Sequence, residues 1–132
     1  MSFKRINPES LGRPSGYTNG LLTTPDVRLL FIAGQIGWDE SQQLVGDDFV
    51  EQFDRALRNV LAVVHEAGGA PSGVARLVIY VTDKEEYRAR RREIGVRWRE
   101  QMGNNYPTMT LVEVKSLLED GAKVEIEGIA VL

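Results

Sequence analysis

The sequence predicts an α+β domain in which a mixed β-sheet carries two helices on one face. Three observations lead there. The run from Lys123 to Val131 alternates polar and apolar residues at period two, the pattern of a strand with one buried face. Apolar residues at Phe49, Phe53, Leu57, Val60, Leu61 and Val64 recur instead at the period of a helix. Read end to end, the elements fall in the order β-β-β-α-β-α-β-β, so each helix separates strands and permits a crossover, while the first and last strands come as antiparallel pairs. At 132 residues, 42% of them hydrophobic, the chain reads as one domain over residues 1–132, long enough to bury a core without staples.

Phe3–Ile6 reads as a short first strand ended by Asn7-Pro8, because proline has no N–H to give to a ladder. A loop rich in Pro, Gly and Ser leads to Gly16. Tyr17–Thr24 and Val27–Ala33 then flank Pro25-Asp26, a hairpin-like turn, and the apolar run Leu29–Ala33 predicts a central strand buried on both faces. After Gly34-Gln35-Ile36-Gly37-Trp38 and a polar loop, Asp47 or Asp48 can cap the first helix. Gly68-Gly69 and Pro71 stop it, since glycine accepts the left-handed terminal conformation and proline cannot continue a helix. Val74–Val81 is the next strand. A second helix is predicted from about Lys84 to Met102, with Tyr87, Ile94, Trp98 and Met102 on one side and Gly103-Asn104-Asn105 beyond its end. Thr108–Val114 and Lys123–Val131 complete the sheet. On the last strand Val124, Ile126 and Gly128 face one way and Glu125, Glu127 and Ile129 the other, so two carboxylates share a face that could hold a site. A sheet with helices on one face leaves its other face to be covered by a partner chain, and oligomerisation is expected.

The absence of cysteine excludes disulfides, thiolate catalysis, zinc–thiolate sites and iron–sulfur clusters, and suits a reducing cytoplasm. The single histidine, His65, falls inside the first helix with no second imidazole to share a metal, and no Gly-x-Ser-x-Gly elbow presents a serine to it. Neither a metal nor a cofactor is expected. A net charge of −3 argues against a nucleic-acid partner, because neutralising phosphates needs a basic surface. One basic stripe exists. Arg88, Arg90, Arg91, Arg92, Arg97 and Arg99 crowd the second helix, but Glu85, Glu86, Glu93 and Glu100 interleave with them, which predicts surface ion pairs rather than an RNA-binding face. The opening Met1–Pro8 segment has no apolar signal core, and no apolar run approaches the length that spans a bilayer, so a cytoplasmic protein without a membrane partner is expected.

Tyr106-Pro107-x-x-Thr110-x-Val112-Glu113-Val114, followed by Val124-Glu125-Ile126-Glu127-x-Ile129-Ala130, resembles the end of the Rid family (RidA/YjgF), small proteins that hydrolyse reactive enamines and imines. Ser15–Gly20 is similar to the family's Gly-Pro-Tyr-Ser-x-Ala segment, and Phe31–Ile36 to its Val-Ser-Gly-Gln-Ile strand end. Gln52-x3-Ala56-x2-Asn59 with Ala67-Gly68 resembles its first helix, and Val78–Asp83 its middle strand. The resemblance thus covers nearly the whole chain. It implies a chorismate-mutase-like fold, a homotrimer, a small-molecule ligand in clefts at the subunit boundaries, and chemistry that needs no cofactor.

Carried over position by position, the resemblance makes Glu125 the carboxylate that positions or deprotonates the attacking water, and Tyr17 a cleft tyrosine able to orient water or a substrate amine. A half-buried tyrosine that merely packs is the other reading of Tyr17. The family's deaminases carry an arginine two residues after the proline, gripping the substrate carboxylate; here that residue is Met109. A planar, charged fork is replaced by an uncharged thioether. Ala33 and Gly34 stand where the family often places a serine beside a backbone turn, and Leu111 replaces a frequently small or sulfur-containing cleft residue. Arg91 falls on the otherwise apolar side of its helix, where the family commonly has asparagine. It either restores the anion-binding charge from the helix or snorkels to solvent along its stem. Two functions follow: a hydrolase acting on enamines, imines or related small molecules, though not on the usual 2-imino acids, or a non-catalytic small-molecule binder or accessory subunit. The ribonuclease label that some members carry is opposed by the acidic balance and the lack of paired histidines.

Overall fold

The computed structural model describes residues 3–132; Met1 and Ser2, where the segment read for a signal core begins, lie outside the described residues. The elements are β1 (Lys4–Ile6), β2 (Gly20–Leu22), β3 (Leu29–Ile36), α1 (Phe49–Glu66), β4 (Val74–Val81), α2 (Lys84–Ala89), α3 (Arg91–Met102), β5 (Thr108–Glu113) and β6 (Val124–Val131). A four-stranded sheet runs in the order β3-β6-β4-β5, with β4 and β5 parallel and β6 antiparallel to both its neighbours. β1 and β2 form a separate antiparallel ribbon. Leu77, Ile79 and Ile126 of the sheet meet Phe53, Leu57 and Val60 of α1 and Trp98 of α3 in one core, so the helices do cover a single face of a mixed sheet.

Four expectations change. The strand containing Leu29–Ala33 is not central: β3 lies at a sheet edge and reaches on to Ile36. Its apolar run serves two surfaces. Ile32 is buried beneath the helices, whereas Leu29 and Phe31 are 57% and 71% exposed on the other face. The residues around Pro25-Asp26 do not close a β2–β3 pair, because β2 spends its ladder on β1. β5 and β6 are not neighbours either, since β4 lies between them and pairs with both. Lastly, the second helix breaks at Arg90 into α2 and α3. The guanidinium of Arg90 takes both oxygens of Glu93 at 2.7 Å and reaches Asp48 Oδ1 at 3.0 Å, fixing the break against the start of α1.

Within α1, Gln52 and Asn59 hold the strands that matter below. Asp48 is its N-cap, accepting from the Glu51 N–H at 3.0 Å. Gln52, fully buried, donates to the carbonyls of Gly46 and Gly121 and accepts the Lys123 N–H at 2.8 Å, which fixes the entry to β6. Asn59 donates to the carbonyls of Ile36 (3.0 Å) and Trp38 (2.9 Å) and so fixes the exit of β3. Between these clamps, Ala33 and Gly34 bulge out of the β3–β6 ladder, with one extra residue on β3 between Ile32 and Gln35.

Candidate functional site

The predicted site residues fall into two groups on opposite faces of the sheet. Met109 and Leu111 lie level with Leu77 and Ile79, the helix-facing residues of β4, so they line a cleft between β5 and the helices. Tyr17 and Arg91 line the same cleft. Tyr17 is carried there by its neighbour: Thr18, itself buried, donates its hydroxyl to the Tyr106 carbonyl at 2.6 Å and its N–H to the Pro107 carbonyl at 3.2 Å. The cleft encloses about 1130 Å³ above an apolar floor of Phe53, Ile79 and Ile94. Trp98 and Tyr106 form one wall, their rings near-parallel with centroids 6.1 Å apart.

Glu125 belongs to the other group. It lies level with Tyr80, on the open face, with β4 separating it from the Met109 strand. Its carboxylate rests over the β3 bulge: a Cβ added at Gly34 would stand 2.0 Å from Glu125 Oε2, so only glycine leaves that space. Glu125, Gly34 and Ala33 therefore do come together, but not with Tyr17. Within one chain the sheet stands between the carboxylate and the phenol.

Sequence reasoning missed features on both faces. On the open face the Tyr80 hydroxyl donates to Glu127 Oε1 in a short contact, so Glu127 is engaged while Glu125 makes no hydrogen bond or ion pair among the described residues. That bond, then burial, then the charges of Glu127 and Glu125 push the Tyr80 phenol above its usual value of 10.0, against the pull of Arg76. On the helix face the arginine stripe divides. Arg88 pairs with Glu85, Arg90 with Glu93 and Asp48, and Arg97 with Glu51 and Asp54, whereas Arg91, Arg92 and Arg99 have no carboxylate partner among the described residues and line the cleft. The interleaved charges did predict pairs, but which arginines stay free depends on packing against α1. His65 is exposed near the end of α1, outside either group. Among the described residues no cluster of metal-ligating side chains occurs, and no helix is long and apolar enough to cross a membrane.

A mixed sheet with helices on one face, a bulged edge strand beneath a carboxylate and a tyrosine tethered beside β5 define an α+β domain with a separate group of candidate site residues on each face. The family described as Endoribonuclease L-PSP matches residues 14–132, and the chain belongs to this Rid superfamily. It is 33% identical to a RutC family protein of Pyrococcus abyssi over 102 residues, 76% of each chain. To the human 2-iminobutanoate/2-iminopropanoate deaminase it is 27% identical over 105 residues, 79% of this chain and 73% of that one. The crystal structure of YyfB from Yersinia pestis, a Rid family protein of unknown function, superposes with a TM-score of 0.86 at 30% identity over the full length of both chains.

Proposed function

We propose that the protein is a Rid-type hydrolase of reactive imines or enamines, whose working cleft forms between copies in a homotrimer. In this reading the helix-side cleft of one copy, with Tyr17, closes against the open sheet face of the next, which brings Glu125. The exposed Leu29 and Phe31 supply the apolar cover that such an assembly needs. The carrying observation is the Glu125 carboxylate, laid over Gly34 and without a partner among the described residues while its neighbour Glu127 is engaged. A carboxylate with no partner among the described residues can take a proton from water as the oxygen attacks an imine carbon, and the resulting carbinolamine collapses to a carbonyl compound and ammonia. Glu125 regains its resting state when that proton leaves with the nitrogen. Relatives named as iminobutanoate/iminopropanoate deaminases support the reaction class, and a cytoplasmic setting suits a chain without cysteine.

The test uses imines generated in situ and follows release of the carbonyl product. Glu125→Gln is expected to lose roughly a hundredfold in rate, in the range of general-base contributions. Equal rates for the two proteins would end the proposal, and a monomeric mass at micromolar concentration would remove the composite cleft. A second reading, a non-catalytic ligand-binding or accessory protein, is favoured by Met109 and Leu111 standing in the cleft where β5 offers no charge. Ligand-induced thermal shifts without turnover of any imine would select it.

A further inference from the structure

Charged groups that lack partners among the described residues stand on both faces of the sheet, and they are opposite in sign. In the helix-side cleft Arg91 is exposed, and its chain neighbours Tyr87 and Ile94 line the same cleft. Glu93 is close but taken, since its two oxygens each lie 2.7 Å from Arg90. Arg90 also reaches Asp48 Oδ1 at 3.0 Å, so the first turn of α3 is fixed and Arg91 extends from a rigid base. On the open face Glu125 is the counterpart. Lys123, two residues before it, pairs instead with Glu86 at 3.7 Å. Arg76 stands four residues along β4 from Tyr80, the residue level with Glu125, a span of about 13 Å at the rise of a strand.

We propose that Arg91 of one copy pairs with Glu125 of the next, and so positions the carboxylate that the hydrolase reading assigns to water. The inference rests on the assembly in that reading, in which the helix-side cleft of one copy closes against the open sheet face of another. A charge carried into a closing cleft loses water, and without a partner it destabilises the boundary; joined, the two groups satisfy each other. The remaining free arginines of the cleft suit this role less. Arg92 lies about 160° round α3 from the buried Ile94, against about 60° for Arg91. Arg99 folds back along the helix, its Nη1 3.4 Å from where a Gly95 Cβ would stand. A guanidinium that takes one carboxylate oxygen leaves the other to accept from water, so the pair orients the base without consuming it. Arg91 then serves the base rather than the substrate.

The experiment reads assembly, which needs no substrate: sedimentation of the full chain over a dilution series gives the concentration at which half of it dissociates. Arg91→Glu and Glu125→Arg should each raise that concentration by about tenfold or more, because each sets like charges against one another at every boundary. The swapped protein Arg91→Glu/Glu125→Arg should return to within about threefold of wild type, and Arg99→Glu, the same charge change on the same cleft, should shift it by less than about threefold. A swapped protein as dissociated as the worse single variant, an Arg99→Glu protein as disrupted as Arg91→Glu, or a wild type that is monomeric at micromolar concentration would overturn the proposal. Should Glu125→Arg not fold, the neutral variants Arg91→Gln and Glu125→Gln decide: paired residues lose no more together than singly, and additive losses overturn the pair. Turnover separates this inference from the reading beneath it. In imine hydrolysis Arg91→Gln should lower kcat by about tenfold with KM little changed, and Arg91→Lys should keep several times the rate of Arg91→Gln. A protein that passes the swap test without hydrolysing any imine removes only the hydrolase, and an active one that fails it removes only the pair.

Discussion

On the helix-covered face of the sheet Leu77, Ile79 and Ile126 are sealed beneath α1 and α3, whereas on the opposite face Leu29 and Phe31 stand exposed and Glu125 has no partner among the described residues. The same strands build both surfaces, since alternate side chains point to opposite sides. One face completes its burial within the chain; the other carries exposed apolar groups that nothing among the described residues covers. Stability and assembly should therefore respond to different substitutions. Phe53→Ala, on the sealed face, is expected to cost about 3–5 kcal/mol in chemical denaturation, the range for deleting a buried phenyl ring. Phe31→Ala should change the stability of the dissociated chain by no more than about 0.5 kcal/mol yet shift the sedimentation profile toward monomer. Equal costs for the two would erase the contrast between the faces.

Next in size is the effect of filling the space above the β3 bulge. Gly34→Ala puts a methyl group 2.0 Å from Glu125 Oε2, so the carboxylate must swing away. Imine hydrolysis should fall at least tenfold, in the direction of Glu125→Gln, while the melting temperature moves little because Gly34 is exposed. A fully active Gly34→Ala protein would detach the open-face carboxylate from the chemistry.

The strands and helices of both faces were legible in the sequence because each rests on a local period: the stripe from Phe49 to Val64 and the alternation from Val124 to Ala130 needed no knowledge of their neighbours. Pairing was not. Nothing in Leu29–Ala33 distinguishes a strand buried between two neighbours from an edge strand whose outer face awaits another chain, and the break at Arg90 depends on Asp48, 42 residues earlier. The site was readable one residue at a time through family resemblance, which singled out Tyr17, Arg91, Met109 and Leu111, and these do share a cleft. That Glu125 sits on the face opposite Met109 follows from the register, which sets Met109 and Gly128 level with the buried Leu77 and Glu125 level with Tyr80. The freedom of Arg91 and Arg99, like the Trp98–Tyr106 wall, arises from contacts that no spacing rule encodes.

The two faces should also part in their response to pH, with acid acting through the helix layer. The Asp48 carboxylate is held below its usual 3.8, first by the Glu51 N–H it caps and then by Arg90. A depressed carboxyl adds stability that is present above the unfolded value and lost as pH falls through the lower folded one. Asp48→Ala should cost about 1 kcal/mol at neutral pH, as helix caps do, and the difference from wild type should shrink below about pH 4. A constant difference down to pH 2 would show that the charge of Asp48 is not what stabilises the helix layer.

Alkali should act through the open face. Tyr80 bonds to Glu127 as the neutral phenol, so its folded value lies above 10.0, and the stability it adds is present below the unfolded value and lost as pH rises through the folded one. Subtracting the ultraviolet titration of Tyr80→Phe from that of the wild type isolates this one phenol among four tyrosines. In Glu127→Gln the same difference curve should move down toward 10.0, because a neutral amide accepts the phenol's hydrogen bond more weakly than a carboxylate and no longer repels the phenolate. Glu125→Gln should move it in the same direction by less, since the Glu125 charge reaches Tyr80 without a hydrogen bond. If instead Glu125→Gln produced the larger shift, the Tyr80 partner would be Glu125. The unengaged acceptor over Gly34 would then be lost, and with it the distinction between a paired and a free carboxylate on which the open face depends.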